Sequence, residues 1–239
     1  MKYRLPILLL FGFNLVPYLL FAQENEAPKV TIIAPSENVS LKSSSIVPYS
    51  IAVSDKEDGN SEYDEINMNE VVLSVTFIHD ASKTKKYVEK EVAPRSELLS
   101  LISSSNCFTC HSAKDKLIGP SFKVIADKYS LLHKNKSYLS QKISNGSKGV
   151  WGGEIMPAKP NLEKEDIEQI LDWIFKNSQD SNYTYYTGTE GAFKTIHRPK
   201  KEAYKASYVL HALYTDHGLN ESGEKSKKGT NTIVIEVGH

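Results

Sequence analysis

Two thiols and an imidazole fall within five consecutive residues, Cys107-Phe108-Thr109-Cys110-His111. Thiols three positions apart can each add to one vinyl group of a porphyrin, and a histidine directly after the second then lies under the ring with a nitrogen toward the iron. This is the pattern that attaches c-type haem. The chain has only two cysteines, both in this run, so none is left for a disulfide. Two rival chemistries use the same residue types. Zinc would find three ligands here, but no second Cys/His pair follows at zinc-finger spacing. A thioredoxin-like redox pair needs a strand leading into the motif, whereas Leu98 to Asn106 reads as helix.

The elements that must hold these groups follow from hydrophobic periodicity. Residues 94–178 read as helical. Leu98, Leu99 and Ile102 form one short apolar face, and Phe122, Ile125, Ala126 and Tyr129 another at steps of three and four; Leu139 and Ile143 precede Asn145-Gly146. The clearest helix has Glu163, Glu165 and Asp166 in its first turn, where they favour the helix dipole, and Ile167, Ile170, Leu171 and Ile174 as its buried stripe. Residues 28–93 read as β structure through Val30 to Ile33, Ile46 to Val53 and Val71 to Ile78. Residues 183–239 return to β through Phe193 to Ile196, Ser207 to Tyr214 and Thr232 to Val237.

Residues 1–22 carry Lys2 and Arg4, then an apolar run through Leu8 to Phe21 broken by Asn14 and Pro17, the pattern of a secretory signal peptide with cleavage near Ala22. The run is short for a spanning helix, so no stable membrane span is expected after cleavage, which leaves about 217 residues, enough for two domains. Loss of Lys2 and Arg4 leaves 27 basic against 29 acidic residues, a balance that argues against a nucleic-acid partner. Lysine clusters at Lys83, Lys85, Lys86 and at Lys225, Lys227, Lys228 read as solvated faces. Asp55 and Asp58 could join a loop carbonyl around Ca²⁺, but an Asx-rich turn closing a strand is the simpler reading.

The order of Cys107 to His111, Ile118-Gly119-Pro120, Gly149-Val150-Trp151-Gly152-Gly153-Glu154-Ile155-Met156-Pro157 and a helix containing Trp173 resembles a small class I bacterial cytochrome c of the c551/c552 type. The resemblance spans most of residues 95–177. It implies an all-α fold around one covalent haem c, with His111 and Met156 as the axial iron ligands and Pro120 accepting the other ring N–H of His111. It implies no open iron site, hence outer-sphere electron transfer and no catalysis. Met156 lies 45 positions after His111 and is the sole thioether of that stretch, since Met1 leaves with the signal and Met68 lies in the first β stretch. Trp151 is expected beside the haem edge, and Trp173 between the first and last helices. His133, between Leu132 and Lys134, is a competing ligand but reads as a surface residue in a polar turn. His79, His197, His211, His217 and His239 lie in the β stretches.

Ile46 to Val53 followed by Ser54-Asp55-Lys56-Glu57-Asp58-Gly59 resembles early strands of PKD-like or Ig-like modules attached to bacterial cytochromes, and Ser207 to Gly218 with Thr230 to Val237 resembles their late strands. Each half alone has about three strands where a sandwich needs roughly seven. The expectation is a multi-domain α + β chain in which one sandwich, residues 28–93 and 183–239, is split by a haem domain at 94–178. Two separate small β modules are the alternative. The address implied is the periplasm, and the partner a periplasmic dehydrogenase or terminal oxidase chain, because similar segments are fused to sugar-oxidising domains. Competing functions are a carbohydrate- or surface-binding β protein with an accessory haem, and a haem sensor or peroxidase from which Met156 would have to leave the iron.

Overall fold

The structure, a computed structural model, describes residues 24–129, 132–197, 205–219 and 225–237. The expected signal peptide and His239 lie outside the described residues. Strands β1 (Lys29–Ala34), β2 (Ile46–Asp55), β3 (Gly59–Asn60) and β4 (Val72–Ile78) come first. Helices α1 (Thr84–Tyr87), α2 (Ala93–Ser104), α3 (Phe122–Lys128), α4 (His133–Asn145) and α5 (Lys164–Asn177) follow, with a small ribbon of β5 (Ser147–Lys148) and β6 (Ile155–Met156) between α4 and α5. Strands β7 (Tyr183–Thr187), β8 (Glu190–Lys194), β9 (Ala206–Thr215) and β10 (Lys228–Val237) complete the order.

Two four-stranded antiparallel sheets each combine strands from before and after the helices. In the first, β2 pairs with β1 and β3 and takes β8 along Ile46↔Lys194 to Ser50↔Glu190; in the second the order is β10-β9-β4-β7. The alternation of β2 explains the first sheet, since Val47, Tyr49, Ile51 and Val53 are buried while the residues between them face outward. Strand β4 is buried on both faces. Its Leu73, Val75 and Phe77 join Tyr208, Leu210 and Ile235 against the first sheet, whereas its Val72 joins Leu213, Tyr183 and Tyr185 against Leu99, Ile102, Phe108 and Trp173 of the helical segment. The result is three layers, sheet on sheet on helices, with two apolar cores.

The chain leaves and re-enters the second sheet at neighbouring points. Phe77 N donates to Asn182 O at 2.8 Å, Arg95 reaches Asp180 at 3.9 Å, and the Arg95 guanidinium sits 4.5 Å from the centroid of the Tyr183 ring.

Three local readings need correction. Residues 84–92, inside the stretch read as β, are helical: α1 runs through a π turn at Val88–Val92 into α2. Pro94 lacks an N–H and its ring would strike the Lys90 carbonyl in a regular helix; the wider turn directly ahead of it accommodates both defects. The strand expected at Phe193 to Ile196 runs instead over Glu190–Lys194, and β7 adds a strand that hydrophobicity did not mark. His133 opens α4 rather than lying in a turn, since Lys134, Lys136 and Gln141 around buried Leu139 are good helix formers. Trp173 lies in the core that α2 and α5 share, and its ring packs in addition against Phe122 and against Tyr183 and Tyr185 of β7.

Candidate functional site

The thiols and the imidazole are brought together by a single turn. Helix α2 ends at Ser104, and Asn106 takes a left-handed conformation (φ 55°) that its short polar side chain tolerates. The Cys107 carbonyl then accepts from Cys110 N at 3.2 Å and from His111 N at 3.0 Å. Residues three and four positions apart share one face of such a turn, which is why the Cys-x-x-Cys-His spacing aims all three groups at one place. Between them Phe108 points the other way and is fully buried, 5.2 Å from the ring of Tyr185.

Three neighbours fix His111. Its Nδ1 lies 2.7 Å from the Pro120 carbonyl oxygen. A carbonyl can only accept, so Nδ1 carries the proton and Nε2 presents its lone pair. Gly119 lies against the ring edge; a Cβ there would come within 2.6 Å of His111 Cε1. Phe122 stacks on the other side, with centroids 5.3 Å apart and planes 13° from parallel. Ser121 starts α3 just ahead of it by accepting from Val124 N. Burial pushes the His111 pKa below its ordinary value, with the Pro120 hydrogen bond working the other way, so the ring is a neutral imidazole.

Cys107, Cys110, His111, Pro120, Trp151 and Met156 all line one cleft, walled by Ile125, Leu139, Ile143, Ile170, Leu171 and Ile174, with about 1170 Å³ of free space including its mouth. Met156 arrives on the β5–β6 ribbon, paired with Ser147. Gly146 permits that ribbon because its φ is 76° and a Cβ would lie 2.8 Å from the Met156 carbonyl. Trp151 sits at the mouth, with Tyr129 edge-on at 6.3 Å and Lys128 Nζ 4.3 Å from the centroid of its ring.

The donor set suits a porphyrin and disfavours its rivals. A large apolar cleft with two thiols on its wall and one proton-free imidazole nitrogen fits a flat hydrophobic macrocycle bound covalently and through iron. Burial pushes the Cys107 thiol up to about 11, opposite to the depressed value of a reactive disulfide-exchange cysteine. Among the described residues no group of three or more His, Cys, Asp or Glu side chains is placed to hold a metal ion. In the β2–β3 turn Asp55 Oδ1 accepts from Glu57 N and Asp58 N, an Asx turn, and Asp58 Oδ2 accepts from Tyr214 OH at 2.7 Å. His79 pairs with Asn182, His197 with Ser44 and His211 with Thr232, while His217 lies between Asp58 and Glu70.

The roles of Phe122, Phe108, Tyr183 and Tyr185 were not anticipated. The tyrosines carried a signal, since Tyr183-Thr184-Tyr185-Tyr186-Thr187 consists wholly of residues enriched in strands.

Comparison with known proteins agrees with this chemistry. Residues 100–178 match the family model described as cytochrome c. Cytochrome c-552 of Nitrosomonas europaea is 40% identical over 74 residues, which cover 31% of this chain and 72% of that protein. Cytochrome c-551 of Pseudomonas aeruginosa is 37% identical over 75 residues, covering 31% and 70%. Among solved structures, wild-type Nitrosomonas europaea cytochrome c552 matches at 40% identity with a TM-score of 0.30, covering 31% of this chain and 93% of that one. The helical segment is thus a class I c-type cytochrome domain of the c551/c552 kind. The chain belongs to the cytochrome c family, which implies covalently bound haem c, has Cys107 and Cys110 at the Cys-x-x-Cys-His spacing, and is a haem-binding electron carrier joined to additional antiparallel β sheets.

Proposed function

We propose that this chain is a periplasmic electron-transfer protein whose iron is ligated by His111 and Met156, exported by the signal at residues 1–22 and serving a dehydrogenase or an oxidase chain. The observation that carries the reading is the juxtaposition of a tautomer-fixed His111 and Met156 on the lining of one apolar cleft. When bound, haem supplies reversible one-electron exchange with little change in its surroundings. The protein's part is to hold that group still. Pro120, Gly119 and Phe122 fix the plane and tautomer of His111. The apolar wall excludes water, and a thioether opposite an imidazole favours the reduced state and raises the potential. Trp151 stands at the exposed mouth, where exchange with a partner takes place.

In the same reading, residues 28–93 and 183–239 form one PKD-like or Ig-like sandwich that carries the haem domain, residues 94–178, between its halves. The strand pairing of β2 with β8 and of β4 with β7 and β9 supports it. The test is spectroscopic. The exported protein should show a covalent haem with a thioether-to-iron absorption band and should bind carbon monoxide slowly. Met156→Ala should lose that band, bind carbon monoxide rapidly and have a lower reduction potential. An unchanged spectrum and potential in the variant exclude Met156 as ligand.

A further inference from the structure

Behind the cytochrome domain, where α5 meets β7, lies a second cavity lined by Ala113, Lys114, Trp173, Asn177, Tyr183 and Tyr185, among others. Four of its lining residues bring a buried polar atom without a protein partner: the Tyr183 hydroxyl and three others, Trp173 Nε1, Asn177 Oδ1 and the Tyr185 hydroxyl. The last three side chains are more than nine-tenths buried, at 3%, 6% and 6% exposure. One of the two Asn177 amide hydrogens goes to the Trp173 carbonyl at 2.9 Å, a bond that fixes which end of the amide is its oxygen. Buried polar atoms without a partner are strongly unfavourable, and these belong to residues that line one small cavity.

The chemistry of the last three atoms defines the ligand that would satisfy them. Indole N–H can only donate, so the ligand must accept, which excludes a bare cation. The amide oxygen can only accept, so the ligand must also donate, which excludes a simple anion. The cavity measures about 20 Å³, and a single water needs about 10–15 Å³ on that measure. We propose that this cavity is a structural-water site, in which one internal water accepts from Trp173, donates to Asn177 and engages Tyr185, and so joins the cytochrome helices to the β sheet.

Its position gives the site a purpose. Trp173 and Tyr185 are the rings on which Phe122 rests, at 6.5 Å each, and Phe122 is the ring stacked on His111. A water that fixes Trp173 and Tyr185 therefore helps to hold the proximal histidine from one layer behind it, and it does so through a strand that belongs to the β layer.

Water oxygen-17 magnetic relaxation dispersion on the intact holoprotein counts long-lived internal waters. The parent should show one more such water than the Trp173→Phe, Tyr185→Phe double variant, and the variant should melt at a lower temperature despite its more apolar cavity. Equal dispersion amplitudes, or a variant that melts higher, overturn the site. Should the double variant not fold, a high-resolution crystal structure of the parent decides: an ordered water within hydrogen-bond reach of both Trp173 Nε1 and Asn177 Oδ1 supports the proposal, and its absence refutes it. Neither readout depends on the identity of the iron ligands.

Discussion

His111 is held by a hydrogen bond, a steric contact and a stack, and single substitutions separate them. Gly119→Ala places a methyl group 2.6 Å from Cε1, so ring or loop must shift. The expected result is a loss of about 1–3 kcal/mol of stability with a changed ligand-field spectrum; an unchanged spectrum would show that the loop yields instead. His211 behaves differently. It is buried between sheet and helices, and burial, helped by the positive Lys228, lowers its pKa from 6.5 to about 4. The folded state thus favours the neutral ring, so stability is complete above pH 6.5 and is lost as pH falls from 6.5 toward 4. The loss is roughly 3 kcal/mol. Denaturation of the parent over this range should show the decline, and His211→Asn should remove that part of it. At this scale the sequence was most readable where chemistry is local: Cys107, Cys110 and His111 are neighbours in the chain. The stack of Phe122 on His111 has no such signature, because an aromatic residue at that spacing reads equally well as core.

At the level of elements, the haem-binding turn is anchored by its own second residue. Phe108 is 1% exposed and packs on Phe122 and on Tyr185 of β7. Phe108→Ala should therefore cost about 3–5 kcal/mol in chemical denaturation, and a cost below 1 kcal/mol would show that the turn does not lean on the strand. Strands and helices with one buried face were legible, as the alternation of β2 and the stripe Ile167, Ile170, Leu171 and Ile174 of α5 demonstrate. Residues 84–92 were not. Their lysines and glutamates give no apolar period, and Pro94 argues locally against a helix that tertiary packing nevertheless carries through by widening one turn. Strand β7 was hidden for another reason, since its buried side chains are tyrosines, whose polar tips disguise a face that meets two layers.

For the whole molecule, the decisive property is that the central strands β4 and β9 of the second sheet are buried on both faces. Leu73, Val75 and Phe77 of β4 look inward to the first sheet, while Val72 with Leu213 of β9 looks toward the helices. Neither the helices nor the sheets bury their apolar surface alone, so heat should unfold the holoprotein in one calorimetric transition. Two resolved transitions would mean that the layers are thermodynamically independent. The interruption of the β strands by the helical segment could be suspected from too few strands in each half, but their pairing depends on contacts between residues more than a hundred positions apart, which no local pattern encodes.

The nearness of the points where the chain leaves and re-enters the second sheet also sets an order of events during synthesis. Strand β4 is made before the Cys-x-x-Cys-His turn, yet its partners β7 and β9 come only after α5, and the tyrosine that closes over Phe108 lies 77 residues downstream of it. Until those residues emerge, Phe108 lacks its contact with Tyr185 and the two thiols sit on an incompletely packed segment. The strands behind the turn are thus the last of its supports to be made. In this chain residues 183–187, made well after the Cys-x-x-Cys-His turn, complete the packing behind it.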